Sequence, residues 1–520
     1  MADYSSPGVY IEEVPAGSRP IEGVGTAVAA FVGFAPTGPT VPTLVTNWSQ
    51  YTKEFGEFVD GCRLAHAVYG YFLNGGTACY VVRIGANGSN GATPPAPEPQ
   101  AVLGPFRIVA KELPSGGTGR GEISVEVTEA PPAAEGEQPP EDRFTLTVKR
   151  GGKVEETFEN VSIKRGRDNV ITTVASKSRL ITVEEAGTEL AKPNPQSVTL
   201  KAPPAPAISG EGLPAQVTPD DYLGDVDERS GFGGLEAVDA VTMIAMPDLM
   251  SAFEQGTIDA DGVKAVQGAL VDHCTLMADR MAILDVPPGL SAQEVLDWRG
   301  GLGDFSSMYA TVYHPWIKVF DPATSGITRI PPSGHLAGIW ARNDATRGVH
   351  KAPANEVIRG AIALETQLTR NEQDLLNKDG VSVNCLRVLP GRGIRVWGAR
   401  TLSADAEWRY LNVRRLFNYL EESILNGTQW VVFEPNDDAL WARIRRTIAA
   451  FLVVEWRKGA LFGLTPEEAF YVKCDRETNP AENIGNGLVT CEIGVAPVKP
   501  AEFVVFKLAQ MASGTSLVSE

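Results

Sequence analysis

Short apolar runs alternate with amphipathic segments along most of this 520-residue chain, and this alternation restricts the possible folds more than any other feature. Apolar runs of strand length span residues 26–34, 78–84, 237–248 and 281–287, with helical patterns between several of them. Continuous apolar runs are typical of strands buried on both faces of a sheet, and strands alternating with helices indicate a layered α/β domain. The sequence therefore predicts a layered α/β (α+β) core, and its length predicts more than one folded unit.

Local signals place the ends of several elements. The triplet Asn74-Gly75-Gly76 is typical of a helix end, and Ser291 with Glu294 has the pattern of a capping box at a helix start. Further along the chain, the pattern predicts a helix over 408–426, a strand over 430–435 and a long helix over 438–458.

The pattern changes after Gly85, where a linker rich in Gly, Asn and Pro begins. From about residue 101 to 219 the runs are short and alternating, and residues 143–158 read as a hairpin with residues 150–153 at its turn. We interpret residues 88–219 as a small all-β domain inserted into the core. The predicted order is an N-terminal strand arm (1–24), the first part of the core (25–87), the insertion (88–219), an α/β core domain (220–380), a C-terminal domain (381–500) and a C-terminal strand arm (501–520).

The composition argues against several classes of function. The chain has 64 acidic residues against 46 Lys and Arg, and this net charge of −18 argues against nucleic acid as the main partner. No basic segment followed by an apolar run begins the sequence, and no apolar run approaches the roughly 18 residues of a membrane-spanning helix. We therefore expect neither a secretory signal nor membrane insertion. The six scattered cysteines form no C-x-x-C pair, which predicts reduced thiols in a cytosolic protein.

Both ends of the chain carry a short strand next to prolines. Pro15, Gly17 and Pro20 follow the first strand, whose residues are Val9, Tyr10, Ile11, Glu12 and Glu13. Pro497 and Pro500 precede the predicted strand 502–508, whose apolar residues include Phe503, Val504, Val505 and Phe506. An isolated strand is unstable in water, so each of these strands must join a sheet.

A tethered strand can join a sheet of its own chain or extend the sheet of a neighbouring chain. Five ladder hydrogen bonds contribute about 5 kcal/mol, whereas ordering five residues costs about 5–10 kcal/mol. A single arm therefore binds weakly unless apolar anchors and several simultaneous contacts support it. If the arms exchange between chains, we thus expect a cooperative lattice rather than a dimer. The alternative is that both strands pair within their own chain.

The predicted helix 438–458 combines an apolar stripe with basic residues. The stripe consists of Trp441, Ile444, Ile448, Phe451, Leu452 and Trp456. The basic residues are Arg443, Arg445, Arg446, Arg457 and Lys458, in a chain that is otherwise acidic. One interpretation is a core helix with a solvated polar face, and the other is a basic face that docks an acidic partner.

The sequence shows no clear catalytic motif. The Gly-rich stretch 115–121 lacks the P-loop pattern, and residues 391–398 are too irregular for a dinucleotide fingerprint. The five histidines form no H-E-x-x-H pair, and no G-x-S-x-G stretch occurs. We therefore expect no catalytic residue, cofactor or metal. The alternative is an α/β enzyme of hydrolase type with a β accessory domain, because the many acidic residues allow many carboxylate pairs.

Several longer stretches together resemble one known family. They are SPGVYIEEV, TAVAAFVGFAPTGP, NGGTACYVVRI, GFGGLEAVDAVTMIAMPDLM, PGRGIRVWGARTLSADAEWRYLNVRRLFNYLEESI, LWARIRRTIAAFLVVEWRKGALFG and NPAENIGNGLVTCEIGVAPVKPAEFVVFKL. These stretches are similar to the tail sheath protein of contractile phages, most of all to the sheaths of phage-tail-like contractile injection systems. The resemblance covers about residues 4–85 and 220–508, and the block 391–508 is its most specific part. The insertion lies outside it; in this family that region is a variable, outward-facing domain.

The resemblance implies a structural function without cofactors. Sheath subunits of this family stack as hexameric rings around an inner tube, and contraction of the metastable sheath drives the tube through a target envelope. The implied partners are further copies of the chain, the inner tube protein, and baseplate and terminal cap proteins, with no direct contact to nucleic acid. The implied site of assembly is the cytoplasm of the producing cell, in a virion or a particle that is released. Type VI sheaths consist of two proteins, so this single chain favours a phage tail or, more strongly, a phage-like particle.

The resemblance also implies roles for the two arms and the basic helix. Family members link their rings by exchanging terminal strands, so residues 9–13 would join a neighbour's sheet beside residues 502–508 of another copy and the hairpin that ends near Val495. The family also places a helix of the C-terminal region against the inner tube. This implies a tube contact for the basic residues of the helix 438–458.

Overall fold

The computed structural model describes residues 20–85, 100–103, 106–110, 123–130, 143–150, 153–164, 166, 168–185, 193, 195–200, 217–301, 306–378 and 380–506. The described residues form two compact units. The main unit comprises the described parts of Met1–Gly88 and Glu211–Glu520, and the second unit those of Ser89–Gly210.

The helices and strands follow one another in three blocks. The first block, in the main unit, contains β1 (Ala29–Gly33), β2 (Thr43–Val45), α1 (Trp48–Phe55), α2 (Leu64–Asn74) and β3 (Cys79–Arg83). The second unit contains β4 (Gln100–Leu103), β5 (Phe106–Ala110), β6 (Ile123–Glu129), β7 (Arg143–Arg150), β8 (Lys153–Ser162), α3 (Val170–Lys177), β9 (Ile181–Glu185) and β10 (Gln196–Thr199).

The main unit then continues to the end of the described chain. Its remaining elements are α4 (Pro219–Leu223), β11 (Met243–Ala245), α5 (Leu249–Glu254), α6 (Ala260–Met277), β12 (Met281–Asp285), α7 (Ala292–Gly301), β13 (Ala310–His314), β14 (Ile317–Asp321), β15 (Gly326–Ile330), α8 (Ser333–Arg347), β16 (Ala363–Leu364), α9 (Arg370–Leu376), β17 (Val383–Leu389), β18 (Gly393–Val396), α10 (Leu411–Thr428), α11 (Asp438–Arg457), α12 (Pro466–Ala469), β19 (Phe470–Lys473), α13 (Ala481–Gly485) and β20 (Glu492–Val495).

One large sheet organises the main unit. Eight of the described strands form it, in the order β18-β17-β13-β12-β11-β1-β3-β2. The six strands from β17 to β3 are parallel, and the edge strands β18 and β2 pair antiparallel. Strands β1, β11, β12 and β13 are buried along their whole length. The prediction of a layered α/β core with fully buried strands is therefore confirmed.

Two glycines allow helices α2 and α8 to pack closely. A Cβ atom on Gly334 would lie 2.4 Å from the Cα atom of Ala67, and a Cβ atom on Gly338 would lie 2.4 Å from the carbonyl oxygen of Tyr71. A side chain at either position would push the helices apart. The predicted end of α2 is also confirmed, since Gly75 adopts the left-handed conformation there with φ 119°.

The capping box at Ser291 is confirmed as well. The Glu294 carboxylate accepts from the Ser291 backbone N–H at 2.8 Å, and the Ser291 hydroxyl accepts from the Glu294 N–H at 3.4 Å. These two bonds satisfy backbone donors that a helix start otherwise leaves unpaired.

The second unit has its own sheets and its own apolar core. Its described strands form the sheets β10-β6-β7-β8 and β4-β5-β9. The predicted hairpin of β7 and β8 is confirmed, because Arg150 pairs with Lys153 at its turn. The prediction that this region is all-β is wrong, since α3 lies within it. Asn169 caps this helix by accepting from the N–H groups of Ile171 and Thr172, and Val174 packs into the core.

A second core of the main unit lies around α10 and α11. The buried stripe of α11 is confirmed for Trp441, Ile444, Ile448, Phe451 and Leu452. The strand predicted over 430–435 is wrong. A 3-10 helix, Gln429–Val431, follows α10 directly, and Phe433 has a left-handed φ of 69°, so the segment turns between the two helices instead of extending.

A buried acid lies at the end of β12. The Ser333 hydroxyl, at the start of α8, donates to Oδ2 of Asp285 at 2.6 Å. Burial raises the pKa of Asp285 to about 7, because removal from water disfavours the charged carboxylate.

We predict that Asp285→Asn reduces the loss of stability between pH 5 and pH 8. The folded protein keeps this proton up to about pH 7, whereas the unfolded chain releases it near its reference pKa of about 3.9. Its stabilising contribution is therefore complete below about pH 4 and is lost as the pH rises through 7. Asparagine cannot ionise, so the free energy of unfolding of the variant should fall by about 2 kcal/mol less over this range.

Urea denaturation at both pH values measures this difference. Asp297→Asn, at an exposed position of α7, serves as the matched control and should keep the pH dependence of the parent protein. If the Asp285→Asn variant kept the pH dependence of the parent protein, this would contradict the raised pKa of Asp285.

Candidate functional site

The N-terminal part of the described chain is fixed on α10. The Val24 backbone N–H donates to the Ser423 hydroxyl at 3.1 Å, and Ile21 is buried in the core around α10 and α11. Gly427 provides the space, because a Cβ atom there would lie 2.6 Å from a side-chain carbon of Ile21. The last two turns of α10 thus bind Ile21 and Val24, where the N-terminal arm joins the core.

The start of the C-terminal arm is fixed near the other end of α10. Asn412 donates to the carbonyl of Val498 at 3.1 Å. The Arg400 guanidinium binds both carboxylate oxygens of Glu502, at 3.1 and 2.5 Å, and also donates to the carbonyl of Asn377. Arg400 is buried, so this bidentate pair is protected from solvent more than a surface ion pair is.

A buried ion pair joins α10 to the beginning of the core. Arg415 makes two bonds to Asp344 of α8, at 2.6 and 3.0 Å, and a third to the carbonyl of Thr26 at 2.9 Å. The Thr26 hydroxyl donates to the same carboxylate at 2.7 Å, and the Arg415 guanidinium lies 4.8 Å from the centre of the Trp340 ring. Three distant segments therefore meet on one guanidinium.

Beyond Glu502 the described chain leaves the protein surface. Residues 501–506 form no strand, and no described strand pairs with them. Four consecutive apolar side chains are 68–84% exposed; they are Phe503, Val504, Val505 and Phe506. Isolated exposed apolar residues are common on protein surfaces, but an extended run of four indicates a surface that another structure covers.

A small sheet with open edges lies in the same C-terminal region. Strands β19 and β20 form a two-stranded antiparallel sheet, with Phe470 opposite Val495 and Lys473 opposite Glu492. Each of the two strands has a second edge that no other described strand occupies. An unoccupied strand edge presents backbone donors and acceptors to which a further strand can pair.

The five basic residues of the predicted docking helix have different surroundings in α11 and just beyond it. Arg443 lies 3.4 Å from the Glu434 carboxylate and over the Trp430 ring, and Arg445 donates to the carbonyl of Cys474.

The remaining three lie further along α11 and at its C-cap. Lys458 binds Glu455 at 2.8 Å. Arg446 and Arg457 are exposed, and neither forms an ion pair with another described residue. These two side chains are thus available to a partner.

Two family models match adjacent parts of the chain. The model described as the phage tail sheath protein central domain matches residues 215–402, and the model of the phage tail sheath C-terminal domain matches residues 403–510. Together they span more than half of the sequence. The chain belongs to the phage tail sheath protein family.

Curated relatives of this family member include phage and prophage proteins. The tail sheath protein of Burkholderia phage BcepMu is 24% identical over 502 residues, which cover 92% of this chain and 91% of the relative. A putative prophage major tail sheath protein of Pseudomonas aeruginosa strain UCBPP-PA14 is 27% identical over 234 residues, covering 44% of this chain and 57% of the relative. The second match therefore spans little more than half the length of that relative.

Solved structures with a similar fold are sheaths of contractile particles. The helical sheath of the anti-feeding prophage in its contracted state has a TM-score of 0.58 at 25% identity, covering 98% of this chain and 99% of that chain. The contracted PVC sheath complex of an extracellular contractile injection system has a TM-score of 0.59 at 22% identity, with the same coverage. The sequence-based assignment to the sheath family is thus confirmed.

Of the two predicted arms, part of the C-terminal strand lies within the described residues, and the N-terminal strand does not. Residues 503–506 are described above, whereas Val9, Tyr10, Ile11, Glu12 and Glu13 lie outside the described residues. The anchoring residues Arg400, Asn412 and Ser423 did not emerge from the sequence. Their partners lie 86 to 399 residues away in the chain, so no local pattern marks them.

The alternative of an α/β enzyme gains no support from the buried acids. Asp248 accepts from the N–H groups of Phe34 and Arg63, and Asp285 binds Ser333, so both carboxyl groups serve the backbone and helix starts. The space beside Asp285 is only about 10 Å³, which is less than a substrate needs. Among the described residues, no cluster of three His, Cys, Asp or Glu side chains suits a metal ion, and none of the helices is long and apolar enough to span a bilayer.

We predict that Asp344→Asn lowers the free energy of unfolding by about 3–5 kcal/mol, because it leaves Arg415 charged and buried without its carboxylate. Thermal and urea unfolding of the isolated chain would measure this loss. Asp438→Asn, which breaks the solvent-exposed pair with Arg476, is the matched control and should leave the unfolding midpoint nearly unchanged. Equal effects of the two substitutions would contradict the anchoring role of the buried pair.

Proposed function

We propose that this protein is the structural subunit of a contractile sheath. Its copies polymerise as stacked hexameric rings around an inner tube, and contraction of the sheath drives the tube through a target envelope. Membership of the tail sheath family and the similarity to the contracted anti-feeding prophage sheath support this proposal. The further partners we propose are the inner tube protein, the baseplate and the terminal cap, with assembly in the cytoplasm of the producing cell.

The observation that carries the proposal is the exposed apolar segment at residues 503–506. Glu502, just before this segment, is fixed by its pair with Arg400, whereas the side chains of residues 503–506 are exposed. We infer that this segment pairs with the sheet of a neighbouring subunit, where the open edges of β19 and β20 offer backbone partners. Pairing satisfies the backbone groups, and the four apolar side chains then lie two on each face of the neighbour's sheet.

The N-terminal arm completes the same exchange in this proposal. Residues 9–13 add to the sheet of a neighbour, next to residues 502–508 of another copy and the hairpin β19–β20. Each contact alone is weak because ordering a strand costs about as much as its hydrogen bonds return. A ring lattice multiplies these contacts, so the assembled sheath is stable although single arms bind poorly.

In this proposal the subunit needs no catalytic site, because the free energy for contraction is stored in the sheath during assembly. Subunits joined by exchanged strands can reorient while these strands stay paired, so two lattices of different free energy are accessible to the same contacts. The difference between the extended and contracted lattices then supplies the work of contraction.

For the inner tube we propose the exposed basic residues of α11. Arg446 and Arg457 are free to meet acidic groups, whereas Arg443, Arg445 and Lys458 contact their own chain. We therefore propose Arg446 and Arg457, out of the five basic residues predicted from the sequence, as the contact with the inner tube.

Removal of either arm tests the strand exchange. We expect that deletion of residues 1–14, or truncation after Pro500, abolishes tube formation and leaves a soluble, folded subunit. The deletion should leave the unfolding midpoint unchanged, whereas the truncation should lower it, because it removes Glu502 from the buried Arg400. Electron microscopy detects the tubes, analytical ultracentrifugation detects the soluble subunit, and thermal unfolding gives the midpoint. Val154→Ser, which removes an exposed apolar side chain in the second unit, is the control and should still form tubes. Normal tubes from both truncated proteins would rule out the exchange.

Charge reversal tests the tube contact separately. We expect that the double substitution Arg446→Glu and Arg457→Glu weakens co-sedimentation with the inner tube protein at least tenfold, because each Glu repels acidic groups of the partner. Arg476→Glu changes another exposed arginine and should leave co-sedimentation unchanged. Full binding by the double variant would exclude these two residues as the contact.

A further inference from the structure

Two cysteines face each other at the end of the two-stranded sheet. In the pairing of β19 with β20, Lys473 lies opposite Glu492. If this register is continued by one residue on each strand, Cys474 lies opposite Cys491. Each thiol also influences the pKa of the other, as expected for opposed neighbours.

The same face of the sheet carries both thiols. The cross-strand pairs that precede them on this face are Phe470 with Val495 and Val472 with Ile493, and all of these residues pack against the core around α11. The alternation along a strand therefore directs Cys474 and Cys491 to one side, towards each other.

The separation of opposite residues in such a sheet suits a disulfide. Directly opposed Cα atoms of antiparallel strands are about 4.5–5.5 Å apart, and disulfides join Cα atoms about 4.4–6.8 Å apart. A bond between the two sulfur atoms thus requires no displacement of the backbone strands.

Access distinguishes this pair from the other cysteines. Cys491 is half-buried, whereas Cys62, Cys79, Cys274 and Cys385 are fully buried. A small oxidant in solution can therefore reach Cys491, and the buried Cys474 can be reached from Cys491.

We propose that Cys474 and Cys491 form a reversible disulfide when the protein meets a low-molecular-weight disulfide such as oxidised glutathione. The Cys491 thiolate attacks one sulfur of glutathione disulfide, which forms a mixed disulfide and releases one glutathione thiolate. The Cys474 thiolate then attacks the Cys491 sulfur, which closes the protein disulfide and releases the second glutathione. The two cysteine protons go to solvent, the protein is oxidised by two electrons, and one glutathione disulfide is reduced to two thiols.

The surroundings of the pair make this oxidation slow near neutral pH. Burial and the neighbouring Cys474 raise the pKa of Cys491 to about 12, and burial also raises the pKa of Cys474. Arg445 opposes this shift for both thiols without cancelling it. Because the thiolate is the attacking species, its fraction and the rate should rise about tenfold per pH unit between pH 7 and pH 9.

The disulfide would close a loop that includes α13. Residues 475–490 connect the two cysteines, and the bond would hold together the open end of a sheet that has only four residues in each strand. Closing a loop of this length restricts the unfolded chain and stabilises the hairpin. This inference concerns the chemistry of the chain and does not depend on the proposed sheath function.

The test uses the purified full-length chain, incubated under native conditions with oxidised glutathione at pH 7, 8 and 9. After acid quenching, alkylation of the remaining thiols and proteolysis, mass spectrometry identifies linked peptides. We expect one linked pair that joins residues 474 and 491, two thiols lost out of six, and a rate that rises about tenfold per pH unit. Oxidation should raise the midpoint temperature by about 3 °C, and dithiothreitol should reverse the shift.

Two variants serve as controls. Cys491→Ser should lose no thiol and show no shift in midpoint temperature, whereas Cys274→Ala should still form the linkage. If native protein keeps all six thiols, or stops at a stable glutathione adduct on Cys491, the proposal is wrong. Linkage of other cysteines at the same rate would also contradict it.

Discussion

Exposed apolar side chains are stabilised by a surface that covers them, and the segment just after Glu502 has no such surface within the described protein. Residues 503–506 expose four consecutive apolar side chains, while Glu502 just before them is held by a buried arginine. This combination of a fixed base and an exposed apolar tip would favour aggregation in a monomeric protein. In a polymer the same segment provides the connection between subunits, and the sheath proposal rests on this property.

The interactions that hold the start of each arm on its own subunit differ from the interactions that we propose between the arm strands and neighbouring subunits. At the base, the bonds are buried and charged: Arg415 with Asp344, and Arg400 with Glu502. At the tips they would be backbone ladders and apolar contacts between chains, which are individually weak. Helix α10 connects the starting points of the two arms, because Asn412 binds Val498 and Ser423 binds Val24. In the lattice that we propose, such a subunit changes its orientation without losing either connection.

Much of the main unit was predictable because its signals are local. The apolar runs mark β1, β11 and β12, the capping box marks the start of α7, and the glycine pair marks the end of α2. Local signals failed where a competing local interaction decided the structure. Asn169 caps a helix inside a region of strands, and the left-handed Phe433 converts an apolar run into a turn.

Long-range partners were beyond a single sequence. The guanidinium of Arg415 meets Asp344 and Thr26 only in the folded chain, and nothing near any of them in sequence indicates the others. For the basic helix, the sequence predicts five candidates. Only the folded chain separates Arg443, Arg445 and Lys458, which have partners, from the two arginines that form no ion pair with a described residue. Conversely, the family resemblance predicts an exchange of arms between chains, which no pattern within one chain reveals.

The most direct test of the central claim is a cryo-electron microscopy map of tubular particles isolated from the producing cell. We predict striated tubes whose subunits carry residues 9–13 and 502–508 in the sheet β19–β20 of neighbouring copies. A map in which both terminal strands pair within their own subunit, or cells whose tubular particles do not depend on this chain, would contradict it.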